Sequence, residues 1–293
     1  MFSRRIALAG LASVLAAIAA PTASPAQTGK IEVVASFSIL ADLVRQVGGD
    51  RVSVRSIVPA NTDAHVYEPK PADIAAVGRA KLVVINGLGF EAWADRIVRA
   101  TNYSGERLVA SRGIRALSVK GQTDPHAWQD VANVKTYIAN IRDALSKVDP
   151  AGAASYVSRA ASYSAQLDRL DAEIKGSFAH IPQANRKVVT SHDAFHYFGD
   201  AYDVVFLAPQ GVSTEAQASA KDVAALIRQI KDENIRAVFV ENMTNGRVVQ
   251  QIARETGVKV GGTLYADALG GTASSYIGMM RHNARTIAGA LAR

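Results

Sequence analysis

Six histidines and no cysteine set the terms for metal chemistry in this 293-residue chain. Thiolate zinc sites, iron–sulfur clusters, disulfide scaffolds and thiol catalysis are excluded together. A metal site must therefore be assembled from imidazole and carboxylate. Four such donors fall in loops behind strand-like segments. They are His65 in Asn61-Thr62-Asp63-Ala64-His65, His126 in Asp124-Pro125-His126-Ala127-Trp128, His192 in Ser191-His192-Asp193-Ala194-Phe195, and Asp267 in Tyr265-Ala266-Asp267-Ala268-Leu269. Three imidazoles and one carboxylate make a four-coordinate set suited to a borderline ion such as Zn²⁺, bound at about 2.0–2.2 Å. Sequence spacing alone does not bring the four together.

A rival pattern uses one of the same residues. His192 and His196 stand four apart, the spacing of a zinc-hydrolase helix, with Asp193 where that motif has Glu. A zinc-dependent hydrolase would need both imidazoles on one helical face and an open metal position. His192 directly follows an apolar strand, which leaves it at or before the helix start, and Asp reaches less far than Glu toward a metal-bound water. No nucleophile elbow, P-loop or dinucleotide fingerprint accompanies it. Asn86-Gly87-Leu88-Gly89 reads as a turn. The chain is expected not to be an enzyme.

The donors need rigid elements behind them. Strands are predicted over Ile31–Ala35, Val52–Val58, Leu82–Ile85 and Arg107–Ala110, with helices over Ile39–Val47, Pro71–Ala80, Phe90–Ala100 and Asp130–Lys147. In the second half, strands Lys187–Thr190, Val204–Leu207, Ala237–Val240 and Val258–Gly262 alternate with helices Ala220–Asp232, Asn245–Thr256 and Ser274–Arg293. Between the halves, Tyr156, Ala160, Tyr163, Leu167, Leu170, Ile174 and Phe178 fall three or four apart, one apolar stripe on a helix of roughly 28 residues. The Ala and Tyr content of that stripe suits packing across two lobes better than a coiled-coil seam. The fold class is α/β: two βα lobes with parallel sheets, joined by one long rigid helix. The expected division is an N-terminal lobe over 27–150, a linking helix over 151–180 and a C-terminal lobe over 181–293. Ligands of open α/β sheets bind beyond the carboxyl ends of the strands, which puts a metal site in the interlobe cleft. A stiff linking helix predicts small lobe motions.

Residues 1–26 read as a secretory signal peptide: Arg4 and Arg5, an apolar run from Ile6 to Ala20, then small residues. Two adjacent arginines do not separate a twin-arginine from a general export signal. Its removal would lower the formal charge from +7 to +5. The 33 basic residues interleave with 26 acidic ones, without a dense Lys/Arg block or an aromatic platform, so nucleic acid is not an expected partner.

Six segments in order resemble one family. They are His65-Val66-Tyr67-Glu68-Pro69, Asp124-Pro125-His126-Ala127-Trp128, His192-Asp193-Ala194-Phe195 with Tyr197-Phe198, Gly211-Val212-Ser213-Thr214-Glu215-Ala216, Phe239-Val240-Glu241-Asn242, and Tyr265-Ala266-Asp267-Ala268-Leu269. From about Ile31 to the C-terminus the chain resembles the zinc- and manganese-binding substrate-binding proteins of bacterial ABC importers, the ZnuA/TroA/AztC type. The resemblance implies a metal held between C-shaped lobes by His65 and His126 from the first and His192 and Asp267 from the second. It implies a periplasmic protein delivering Zn²⁺ to an ABC permease in the inner membrane, with a periplasmic zinc metallochaperone as a further candidate partner, and a monomer. Without cysteine there is no site for a lipid anchor. Manganese-selective members tend to carry Glu where His192 stands, so the imidazole favours Zn²⁺, with Mn²⁺ as the alternative cargo. Zinc-specific members often have a long His-rich loop before the second histidine; here Ser118–Thr123 is short and has none. Ala218-Ser219 replaces a more usual Pro-Ser. A ligating imidazole donates its other N–H to a carboxylate or carbonyl, and Glu241, Asp63 and Asp124 are the candidates for that role.

Overall fold

The structure is a computed structural model and describes residues 29–292; the export signal expected over 1–26 lies outside the described residues. The first lobe is built on β1 (Ile31–Phe37), α1 (Ser38–Gly48), β2 (Val52–Val58), α2 (Pro71–Arg79), β3 (Leu82–Ile85), α3 (Ala94–Ala100) and β4 (Glu106–Val109). Its four strands are parallel in the order β2-β1-β3-β4. A hairpin of β5 (Ser118–Val119) and β6 (Gln122–Thr123) precedes α4 (Val131–Val148), whose first turn is capped by Asp130 accepting the Ala132 N–H at 2.8 Å.

The linking helix α5 runs over Ala153–Phe178, entered through a short 3₁₀ turn at Pro150–Gly152. Its buried residues are Tyr156, Ala160, Tyr163, Leu167, Leu170, Ile174 and Phe178, the seven members of the apolar stripe. Asp149 fastens the N-terminal end, taking Arg51 Nε and the Tyr156 hydroxyl, both at 2.7 Å. The second lobe follows with β7 (Lys187–Val189), α6 (His196–Tyr202), β8 (Val205–Leu207), α7 (Ala220–Asp232), β9 (Ala237–Glu241), α8 (Arg247–Thr256), β10 (Lys259–Leu264) and α9 (Tyr276–Leu291). Near the far end of α5, Glu173 receives Arg281 Nε of α9 at 2.8 Å. The order β10-β9-β7-β8, again all parallel, repeats the first lobe: each sheet has its earliest strand inside, the next on one flank and the last two on the other.

One hydrophobic core runs from β1, α1 and β3 through α4 and α5 into Phe195, Phe239, Tyr276 and Met279 of the second lobe. A smaller cluster, including Val223, Leu226, Ile230, Val238 and Ile252, lies under α7 and α8. Thus the lobes share an interior, and among the described residues only the outer face of the second sheet has a core of its own. No helix among the described residues is long and apolar enough to cross a membrane.

Two local expectations need correction. The helix expected from Phe90 begins at Ala94; the Glu91 carboxylate instead accepts the N–H groups of Asn86 and Gly87 and closes a turn. Ser118–Thr123 forms a hairpin rather than a plain loop, turning through Lys120 and Gly121 at φ 51° and 81°. The helix α6 starts four residues after His192, which therefore stands before the helix as expected.

Candidate metal centre

Each candidate donor leaves a strand end by a loop that hydrogen bonds hold in place. His65 lies beyond β2, where Asp63 accepts its backbone N–H at 2.9 Å and the indole N–H of Trp93 donates to Ala64 O at 2.8 Å. His126 lies beyond the hairpin. Asp124 Oδ1 accepts both its backbone N–H, at 2.9 Å, and its ring Nδ1, at 2.7 Å. His192 lies just beyond β7. Glu241, the last residue of β9, accepts the Ser191 and His192 N–H groups with Oε1 and meets ring Nδ1 with Oε2 at 2.5 Å. Asp267 lies beyond β10, at a carboxyl end as in the other three cases.

The structure brings His65, His126, His192 and Asp267 together. One donor atom from each lies within 4.8 Å of all the others. His65 Nε2 is 3.3 Å from His126 Nε2 and 3.4 Å from Asp267 Oδ2; His126 Nε2 is 3.4 Å from Asp267 Oδ1; His192 Nε2 is 3.2 Å from Asp267 Oδ2. Ligands held about 2.0–2.2 Å from an ion stand about 3.3–3.6 Å apart in a tetrahedron; these four spacings lie in or just under that range, with both Asp267 oxygens taking part. His192 Nε2 and both Asp267 oxygens are buried without a hydrogen-bond partner. Buried polar atoms are seldom left so, and here they face a common point. His65 is 6% exposed and the other three 0%. Phe90 backs the His65 ring at 4.8 Å and Trp128 the His126 ring at 5.3 Å, walling the site with aromatic carbon.

Charge follows from this packing. Burial alone would strip the proton from His192, yet the Glu241 and Asp267 carboxylates outweigh it and hold that imidazole well above the ordinary 6.5. Burial would raise Asp267, but the charges of His192 and His126 hold its carboxyl well below the usual range. Asp124 shows the same balance: burial opposes ionisation, and hydrogen bonds to His126 and His196 prevail.

The remaining candidates separate. Glu241 and Asp124 meet the ring nitrogens of His192 and His126 that point away from the shared donors. Asp63 does something else: its second oxygen accepts the Thr214 hydroxyl of the other lobe at 2.7 Å, so it braces the His65 backbone. His196 begins α6, and its Nδ1 is 3.4 Å from Asp124 Oδ2. His192 precedes that helix, so the two histidines share no helical face and the hydrolase pattern is overturned. Trp128 and Gln129 offer no metal-ligating atom in the sequence pattern, yet both donate to Ala266 O at 2.9 Å, across the lobes.

The family model described as ZnuA, zinc-uptake complex component A periplasmic, matches residues 33–290. The manganese-binding lipoprotein MntA of Halalkalibacterium halodurans is 35% identical over 268 residues, covering 90% of this chain and 89% of that protein. The periplasmic zinc-binding protein TroA of Treponema pallidum superposes with a TM-score of 0.87 at 31% identity, covering 90% of this chain and 100% of that one. A manganese-bound periplasmic metal-binding protein of Candidatus Liberibacter asiaticus gives 0.82 at 28% identity, covering 89% and 100%. The chain belongs to the ZnuA/TroA family of metal-binding substrate-binding proteins of ABC metal importers. Proteins of this family carry cargo to a membrane transporter and are not enzymes.

Proposed function

We propose that this protein captures Zn²⁺ outside the cytoplasm and hands it to an ABC permease in the inner membrane. The Nε2 atoms of His65, His126 and His192 and the Asp267 carboxylate are the ligands, with Glu241 and Asp124 orienting two of the rings. The observation that carries this is the convergence of three buried imidazole nitrogens and one carboxylate within 4.8 Å of one another. That donor set suits a borderline ion better than the harder Mn²⁺. The manganese reading has support of its own in the names of the relatives, MntA among them. Those relatives are also named lipoproteins, and they do not bear out an unanchored protein. Supply of the ion from solution or by a periplasmic zinc metallochaperone, to a monomeric carrier, is part of the same proposal.

Direct competition tests the cargo. The purified protein, offered equal zinc and manganese, should bind close to one equivalent of zinc by elemental analysis; retention of manganese would replace zinc in the proposal. His65→Ala, His126→Ala or His192→Ala should each weaken binding sharply, while His180→Ala and His282→Ala should not. Equal effects in the two groups would remove the ligand assignment.

A further inference from the structure

Asp267 belongs by sequence to the second lobe, where Asn242 donates to Ala268 O at 3.2 Å, yet its loop is fastened to the first lobe as well. Immediately before it, Ala266 O accepts two hydrogen bonds, from the Trp128 indole N–H and the Gln129 side-chain amide, both at 2.9 Å. Two residues after it, the Leu269 N–H donates to Ser38 Oγ and Leu269 O accepts the Asn61 N–H, again at 2.9 Å. Gly270 packs so closely on Asn61 that a Cβ would collide with that side chain. His192 is held differently. Its ring and backbone are tied to Glu241, and it bridges to Gln210, all within the second lobe.

Gln129 stands out. Its side chain is fully buried, and its carbonyl oxygen has no hydrogen-bond partner. A buried amide satisfied at one end only is a poor contribution to stability. Its satisfied end meets the residue that precedes a ligand. We infer that Gln129, with Trp128 beside it, is a positioning residue for Asp267. The pair fixes the carboxylate relative to His65 and His126, so those three donors form one unit carried by the first lobe. His192, tied through Glu241 and Gln210 to the second lobe, is then the donor that a shift of its own loop engages and withdraws. This inference rests on the ligand set proposed above and extends it to the residues that place one member.

A double-mutant cycle tests it. Gln129→Met keeps the length of the side chain and removes the donor. Zinc affinity is measured by chelator competition and metal-free melting temperature by circular dichroism, for Gln129→Met alone and combined with Asp267→Asn or His192→Ala. In the wild-type background the substitution should weaken zinc binding by roughly 10-fold, as losses behind a metal ligand do. With His192→Ala the same loss should persist, whereas with Asp267→Asn it should shrink to about 2-fold or less. An equal loss in all three backgrounds, or none in the wild type, overturns the positioning role. An unchanged affinity for Asp267→Asn itself would instead overturn the ligand assignment. Should Gln129→Met melt well below the wild type, Trp128→Phe, which removes the other donor, runs the same cycle with the same outcomes.

Discussion

Replacing Glu241 by Gln keeps the shape of the side chain and removes its charge, at the one residue that holds both the backbone and the ring of His192. The carboxylate accepts two backbone N–H groups through one oxygen and ring Nδ1 through the other. That arrangement puts a proton on Nδ1 and leaves the Nε2 lone pair for the ion. In Glu241→Gln an amide oxygen that stays on the backbone donors turns the NH₂ group toward Nδ1. The ring must then accept there and carry its proton on Nε2, where a metal would bind. The flipped amide frees Nδ1–H but sets NH₂ against two buried N–H donors. Either state sacrifices a buried hydrogen bond, a cost of about 1–3 kcal/mol, or roughly 10- to 100-fold in affinity. Chelator competition at mildly alkaline pH measures it, with melting of the metal-free protein as the control for folding. The deficit should narrow toward acid pH, because losing one of two carboxylates also lowers the His192 pKa and lightens competition from protons. A well-folded Glu241→Gln protein with wild-type zinc affinity would refute the tautomer reasoning.

Metal capture should release a proton at neutral pH, since His192 is held above 6.5 and must give one up to ligate. Calorimetry in buffers of differing ionisation enthalpy should find about one proton per ion and an affinity that climbs with pH; no buffer dependence would count against it. The stability of the metal-free protein should move oppositely. The raised His192 contributes in full below about pH 6.5 and loses that contribution as pH rises through its folded value, while the lowered Asp267 contributes above about 3.8 and loses it only in strong acid. Melting temperature should therefore decline on the alkaline side. In α5, Leu167→Ala empties a site within the shared core and should cost about 2–5 kcal/mol. Unfolding should stay a single transition by circular dichroism and tryptophan fluorescence; two separated transitions would show that the lobes do not depend on a common interior.

Much of this was legible in the residues because the packing obeys simple periodicities. Leu82–Ile85, four apolar residues in a row, became β3, buried on both faces as the run required. The three-and-four spacing of α5 marked its seven buried residues. The donors were legible as types at strand ends, and the resemblance supplied their grouping; the spacing of one long-range contact from another is not written in either local stretch. Phe90, Ala94 and Ile97 have helical spacing, but the buried Glu91 side chain turns back to the Asn86 and Gly87 N–H groups and holds the segment before Ala94 in a turn. The β5–β6 hairpin is too short to show an alternation, although Lys120-Gly121 was a turn signal in plain view. Gln129 carried no signal at all. An uncharged amide matters here only through a carbonyl 137 residues away.

The continuous interior beneath the two sheets limits how cargo can leave. Trp128 and Tyr276 come from opposite halves, are both fully covered, and are joined by a hydrogen bond from the tyrosine hydroxyl to Trp128 O at 2.8 Å. Swinging the halves apart like a jaw would wet both rings, at roughly 4–6 kcal/mol for each aromatic side chain newly bathed in solvent. Unloading must then be a matter of loops slackening above an unbroken floor.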